Sequence, residues 1–205
     1  MKENGGEPLS SDKTIAIRVA LIAIFAALAI GGNYALSAIP NVELSSVMVF
    51  ISGFLFGPVI GSLVGFIAMV IYQVWNPWGA FIPPIGLAVI GCTIFFGIVG
   101  GILGKALQRL DYSDWRWFLL PALFGVLLTL LYDLVTNFVY SFSFGVPFII
   151  ALITGFPYLL VHVISNGLLF GLLTQPVTQA IDHLQLSYLQ SSNHKIASKK
   201  EKLSK

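Results

Sequence analysis

Between Arg18 and Lys105 the chain carries one charged side chain, Glu43. A water-facing surface cannot be built over that length without charge, since soluble domains are about 25% charged. Apolar runs this long are solvated by lipid or by protein. The whole chain agrees: 205 residues, 57% hydrophobic, only 10% charged, mean hydropathy +0.88. These values predict an all-α integral membrane protein, folded as one helical bundle. The formal net charge of +2 hides a strong segregation. Charges sit at the two ends and in one loop, so they report topology and exclude a nucleic-acid surface. The single cysteine, Cys92, excludes an internal disulfide and reads as a small packing residue in an apolar helix.

Six apolar segments follow a polar leader, residues 1–14, which reads as flexible. Ile15 to Ser37 is the first helix; its apolar core exceeds that of a signal peptide, and the leader carries both charge signs. Gly57-Pro58 is a helix breaker that divides the next run into Leu44–Phe56, short for a full span, and Pro58–Trp75. Ile85–Leu103 is the fourth helix, and the fifth lies within Phe118–Phe142. The sixth, Gly155–Leu173, ends before Pro176, leaving residues 176–205 as a basic tail. The membrane domain therefore spans residues 15–175.

Six spans place both termini on one side. All 11 Lys and Arg residues then share that side: Lys2, Lys13 and Arg18; Lys105, Arg109 and Arg116; and the tail lysines 195, 199, 200, 202 and 205. The positive-inside rule makes that face cytoplasmic, in the cell membrane. The loops around Asn41, Trp78 and Phe144 face outward.

The fifth helix contains Asp133 at membrane depth, where an ionisable group is expensive and marks a functional site by default. Thr129, Asp133, Thr136, Asn137 and Tyr140 fall at i, i+4, i+7, i+8 and i+11, one polar stripe on an apolar helix. Tyr158, His162, Ser165 and Asn166 form a second stripe on the sixth helix. Asp133 and His162 lie at similar depth, about 10 Å below the outer helix ends, and Asn33 is near the outer end of helix one. The candidate ligand contacts are Asn33, Trp78, Asp133, Asn137, Tyr158, His162 and Asn166. Simpler roles stand beside these: an Asp133–His162 pair that pins two helices, asparagines as inter-helix glue, and Trp78 in an interfacial aromatic belt. Ala16, Ala20, Ala23, Ala27 and Gly31 form a small-residue face suited to close helix contact, within the bundle or against another subunit.

Several chemistries are excluded. GGILGK (Gly100–Lys105) lacks the first glycine and the Ser/Thr of a phosphate loop, and no strand precedes it. HExxH and GxSxG motifs are absent, and only His162 of the three histidines lies in a span. No enzyme activity, metal site or cofactor is expected.

The alanine-striped first helix and the run VELSSVMVFISGFLFGPVIGSLVGF, with Leu55–Pro58, Gly61 and Gly65, resemble the substrate-binding S components of energy-coupling factor (ECF) vitamin transporters. The resemblance covers residues 15–175. It implies a subunit that binds a vitamin or related micronutrient in the outer half of the bundle. That subunit would dock through the helix-one alanines on an energising transmembrane subunit with two ATPases. The outward face and pocket hold no Lys or Arg, while Glu43 and Asp133 are acidic, so a neutral or cationic heterocycle is favoured: flavin-like, corrinoid, pyrimidine or deazapurine. Folate-, biotin- and pantothenate-like acids are disfavoured. The alternative is a stand-alone proton-coupled secondary transporter that uses Asp133 and His162 as a relay.

Overall fold

The computed structural model of the chain describes residues 11–77, 79–107 and 109–203. Six helices follow in order: α1 (Ser11–Ala35), α2 (Leu44–Phe56), α3 (Pro58–Val74), α4 (Pro83–Leu107), α5 (Arg116–Phe144) and α6 (Phe148–Leu203). There is no strand among the described residues. Four helical stretches are long and apolar enough to cross a membrane: Ile15–Ala35, Pro83–Leu107, Arg116–Phe144 and Phe148–Leu184. The other two, α2 and α3, have 13 and 17 residues, about 20 and 26 Å of helix.

The shortness of α2 is explained by its place. It packs against α1, α3, α4 and α6 and is the hub of the bundle. Ser45 to Val47 and Val49 to Phe54 are all buried, so this helix is solvated by protein. Glycines let its backbone touch its neighbours. A Cβ on Gly53 would meet the Gly97 carbonyl, one on Gly97 would meet the backbone of Gly61 and Ser62, and one on Gly104 would meet the Phe54 carbonyl. Between α2 and α3 the chain reverses at Gly57, whose φ of 96° suits a residue without a side chain, and Pro58 then occupies the first turn of α3. Aromatic contacts tie the hub to the rest: Phe50 meets Phe170 of α6 at 4.8 Å between centroids, and Phe54 meets Trp117 of α5 at 5.6 Å.

The two faces of α1 separate as the residue spacing predicts. Phe25, Ala26, Ala29 and Asn33 are buried against α2 and α3, while Ala16, Ala20, Ala23, Ala27 and Gly31 are exposed. The small-residue face is therefore not used inside the bundle.

The structure differs from the sequence-based expectation at the ends. Helix α1 begins at Ser11, while residues 1–10 of the expected flexible leader lie outside the described residues. The short segment before Gly155 is the first two turns of α6, started by Ile150 and Ala151 amides donating to the Pro147 carbonyl. The helix also continues through Pro176 to Leu203. Proline removes one amide donor, but neighbouring polar groups can hold such a helix together. Here Gln175 Nε2 donates to the Tyr112 carbonyl at 2.6 Å, and the Tyr112 hydroxyl donates to the Asp182 carboxylate. Burial, followed by the hydrogen bond to Asp182 and that group's charge, pushes the Tyr112 phenol up, so it remains the donor. The α4–α5 loop thus clasps α6 on both sides of its proline.

Candidate binding site

A cavity of about 550 Å³ opens at the bundle end formed by residues 36–43, the α3–α4 loop and the start of α6. Asn33 lies in its wall and has a second job. Its Oδ1 accepts the Ser45 amide at 2.9 Å, satisfying an amide in the first turn of α2 from a different helix. Glu43, the residue before α2, makes no side-chain cap of its own. Its carboxylate accepts the Ser45 and Ser46 hydroxyls through Oε2 at 3.4 and 3.3 Å and faces the cavity. Asn41, in the left-handed region at φ 58°, donates from its amide to the Tyr158 carbonyl at 3.2 Å, and its own carbonyl accepts from Ser165 at 3.1 Å. The α1–α2 loop is thereby stitched onto α6. Tyr72, Gln73, Asn76, Tyr132 and Tyr158 supply further aromatic and amide surface.

A smaller chamber of about 250 Å³ adjoins the first, with Asn41, Glu43, Tyr132 and Tyr158 lining both. Asp133 and His162 line it. Their side chains meet with His162 Nδ1 and Asp133 Oδ1 3.0 Å apart, and residue exposures of 6% and 1% leave the pair nearly dry. Asp133 Oδ2 and His162 Nε2 are both buried without a hydrogen-bond partner. Two such atoms on one buried pair are costly unless something else completes them. Asn137 also lines the chamber and anchors its amide on the Asp133 carbonyl at 2.7 Å. Among the described residues, no three His, Cys, Asp or Glu side chains converge as metal ligands.

A family profile described as "ECF transporter, substrate-specific component" matches residues 17–181. The chain belongs to this family. No match was found among curated proteins or among solved structures. The assignment makes this a membrane substrate-binding subunit of an ECF transporter, working with a small-molecule substrate and an energising module.

The predicted site residues of this S component fall into three groups. Asn33 lines the larger chamber, Asp133, Asn137 and His162 the smaller, and Tyr158 both. Asn166 lines neither. It is fully buried behind the pair, donating to Thr129 Oγ1 at 2.9 Å, which makes it a link between α5 and α6. Trp78 lies outside the described residues. The outer end of the α5 stripe also leaves the site, since Tyr140 is exposed and packs on Phe144. Sequence reasoning used Glu43 for the charge of the outward face without naming it among the ligand contacts, and it missed Asn41, Tyr72 and Tyr132 as lining groups. For Glu43 the signal was present: it is the one charge in a stretch otherwise without any.

Proposed function

We propose that this S component captures its substrate from outside the cell, with all six helices in the membrane and both termini and residues 176–205 in the cytoplasm. The observation that carries this reading is the position of the cavity. It opens at the end whose loops contain no Lys or Arg, and the positive-inside rule puts that end outward. Its size suits a small heterocycle, since ligand pockets run from roughly 300 to 1,000 Å³. Tyrosine faces and amide side chains are the surfaces that hold a planar, hydrogen-bonding ring. A flavin-, pyrimidine- or deazapurine-like micronutrient is favoured, and a corrinoid, far bulkier, would protrude. The exposed alanine face of α1 is the docking surface for the energising transmembrane subunit and its two ATPases. The family assignment favours this reading over proton-coupled transport by Asp133 and His162.

Single-cysteine labelling in intact cells, on a Cys92→Ala background, tests the orientation. Asn41→Cys and Gly79→Cys are expected to react with a membrane-impermeant maleimide from outside, and Asp111→Cys only after permeabilisation. External labelling of Asp111→Cys would overturn the topology.

A further inference from the structure

Resting on that reading, we propose that the substrate is bipartite: a planar ring held in the larger chamber and a basic nitrogen head group, a primary ammonium or an amidinium, that enters the smaller one. The first argument is charge. Among the described residues, the ionisable side chains lining the two chambers are Glu43, Asp133, His162 and tyrosines, with no Lys or Arg. If the histidine is neutral, the site carries two negative charges; if it is protonated, one remains. In both cases Asp133 Oδ2 is an acceptor.

The second argument concerns the two helix N-termini at the cavity, which would ordinarily attract an anion. At α2, Asn33 already takes the Ser45 amide, and Glu43, though it caps no amide, puts a carboxylate beside the Ser45 and Ser46 hydroxyls of the first turn. At α4, the first two residues are Pro83 and Pro84, which have no N–H, and the Gly86 amide is spent on the Ile82 carbonyl at 2.8 Å. Each helix end therefore has fewer free amides to offer a carboxylate or phosphate, and the first also has an acidic residue in front of it.

The third argument is the unfinished hydrogen bonding. Asp133 Oδ2 and His162 Nε2 are buried and unpaired, and Glu43, released from capping by Asn33, holds only long contacts to two serine hydroxyls. An ammonium or amidinium brings several donors on one compact group, and charge-assisted bonds are the strong ones. Tyr132 and Tyr158, which line both chambers, offer aromatic faces to the same cation. The smaller chamber, about 250 Å³, has less than half the volume of the larger, about 550 Å³, so the bulkier part of the substrate is assigned to the larger one.

Equilibrium dialysis of the purified protein in nanodiscs, at neutral pH, tests this with two matched probe series. Pyridoxamine, pyridoxine and 4-pyridoxate share one ring; tryptamine, tryptophol and indole-3-propionate share another. Within whichever ring is retained, the amine is expected to bind at least about tenfold more tightly than the alcohol, the scale of a charge-assisted hydrogen bond, and the carboxylate least. Glu43→Gln is expected to shrink the amine advantage below about threefold with the melting temperature kept, because the side chain makes no cap. The amine-to-alcohol ratio on the unaltered protein needs no variant to be informative. Equal or tighter binding of an alcohol or carboxylate overturns the head-group proposal and leaves the binding-subunit reading standing. Retention of none of the six at about 1 mM counts against both.

Discussion

The bundle holds its helices together in two different ways. Where α2, α3 and α4 meet, backbone touches backbone through Gly53, Gly61, Gly97 and Gly104, with no side chain between. Where α5 meets α6, the contact includes buried polar pairs, Asp133 with His162 and Thr129 with Asn166. The first seam gains close packing and has nothing left to offer a ligand. The second leaves three polar atoms unpaired: Asp133 Oδ2, His162 Nε2 and Asn166 Oδ1. Lipid gives no hydrophobic drive for helix association, so close packing and hydrogen bonding are the two available devices. This chain uses one for its scaffold and the other beside its cavity.

Breaking the glycine seam should cost most. Gly97→Leu is expected to lower stability by about 3 kcal/mol or prevent folding, because its side chain would have to displace α3 backbone. Gly91→Ala on the same helix has open space and should be neutral or slightly stabilising. Melting curves in detergent separate the two.

In the polar seam, Thr129→Val should cost about 1–2 kcal/mol by leaving the Asn166 amide unpaired at both ends. Adding Asn166→Leu should recover most of that loss, since removing both partners leaves no orphan. A double-mutant cycle on melting free energies provides the check.

The smallest stability effect should come from the α1 face. Ala23→Leu or Ala27→Leu points to no neighbour within the chain and should leave folding and substrate binding unchanged within about 0.5 kcal/mol. Uptake by the assembled transporter is nonetheless expected to fail. Normal uptake would remove this face from the docking surface.

Much of the scaffold was legible because its punctuation is local. Gly57-Pro58 fixes the end of α2 and the start of α3, and the predicted Leu44–Phe56 is the helix observed. Period and depth alone brought Asp133 opposite His162. What escaped depends on contacts distant in sequence. The run of α6 through Pro176 comes with Tyr112 reaching Gln175 and Asp182 on either side of it, contacts invisible to a local reading. Asn33 could be read as a ligand contact, but its bond to the Ser45 amide exists only once α1 lies against α2. Asn166 shares a face with His162, yet Thr129 claims its amide. Glu43 and Tyr132 belong to no polar stripe, so periodicity gave them no weight, and only the folded loop brings them to the same cavity.

The most direct measurement is Asp133→Asn, read by calorimetric titration and by melting, using the amine probe retained by the unaltered protein. The variant is expected to fold with its melting temperature largely kept, because removing a buried charge relieves its desolvation cost. Its affinity should fall by about 1–3 kcal/mol, the scale of losing a hydrogen bond to a charged group. Unchanged affinity together with a clear drop in melting temperature would make Asp133 and His162 a structural pin and contradict the site.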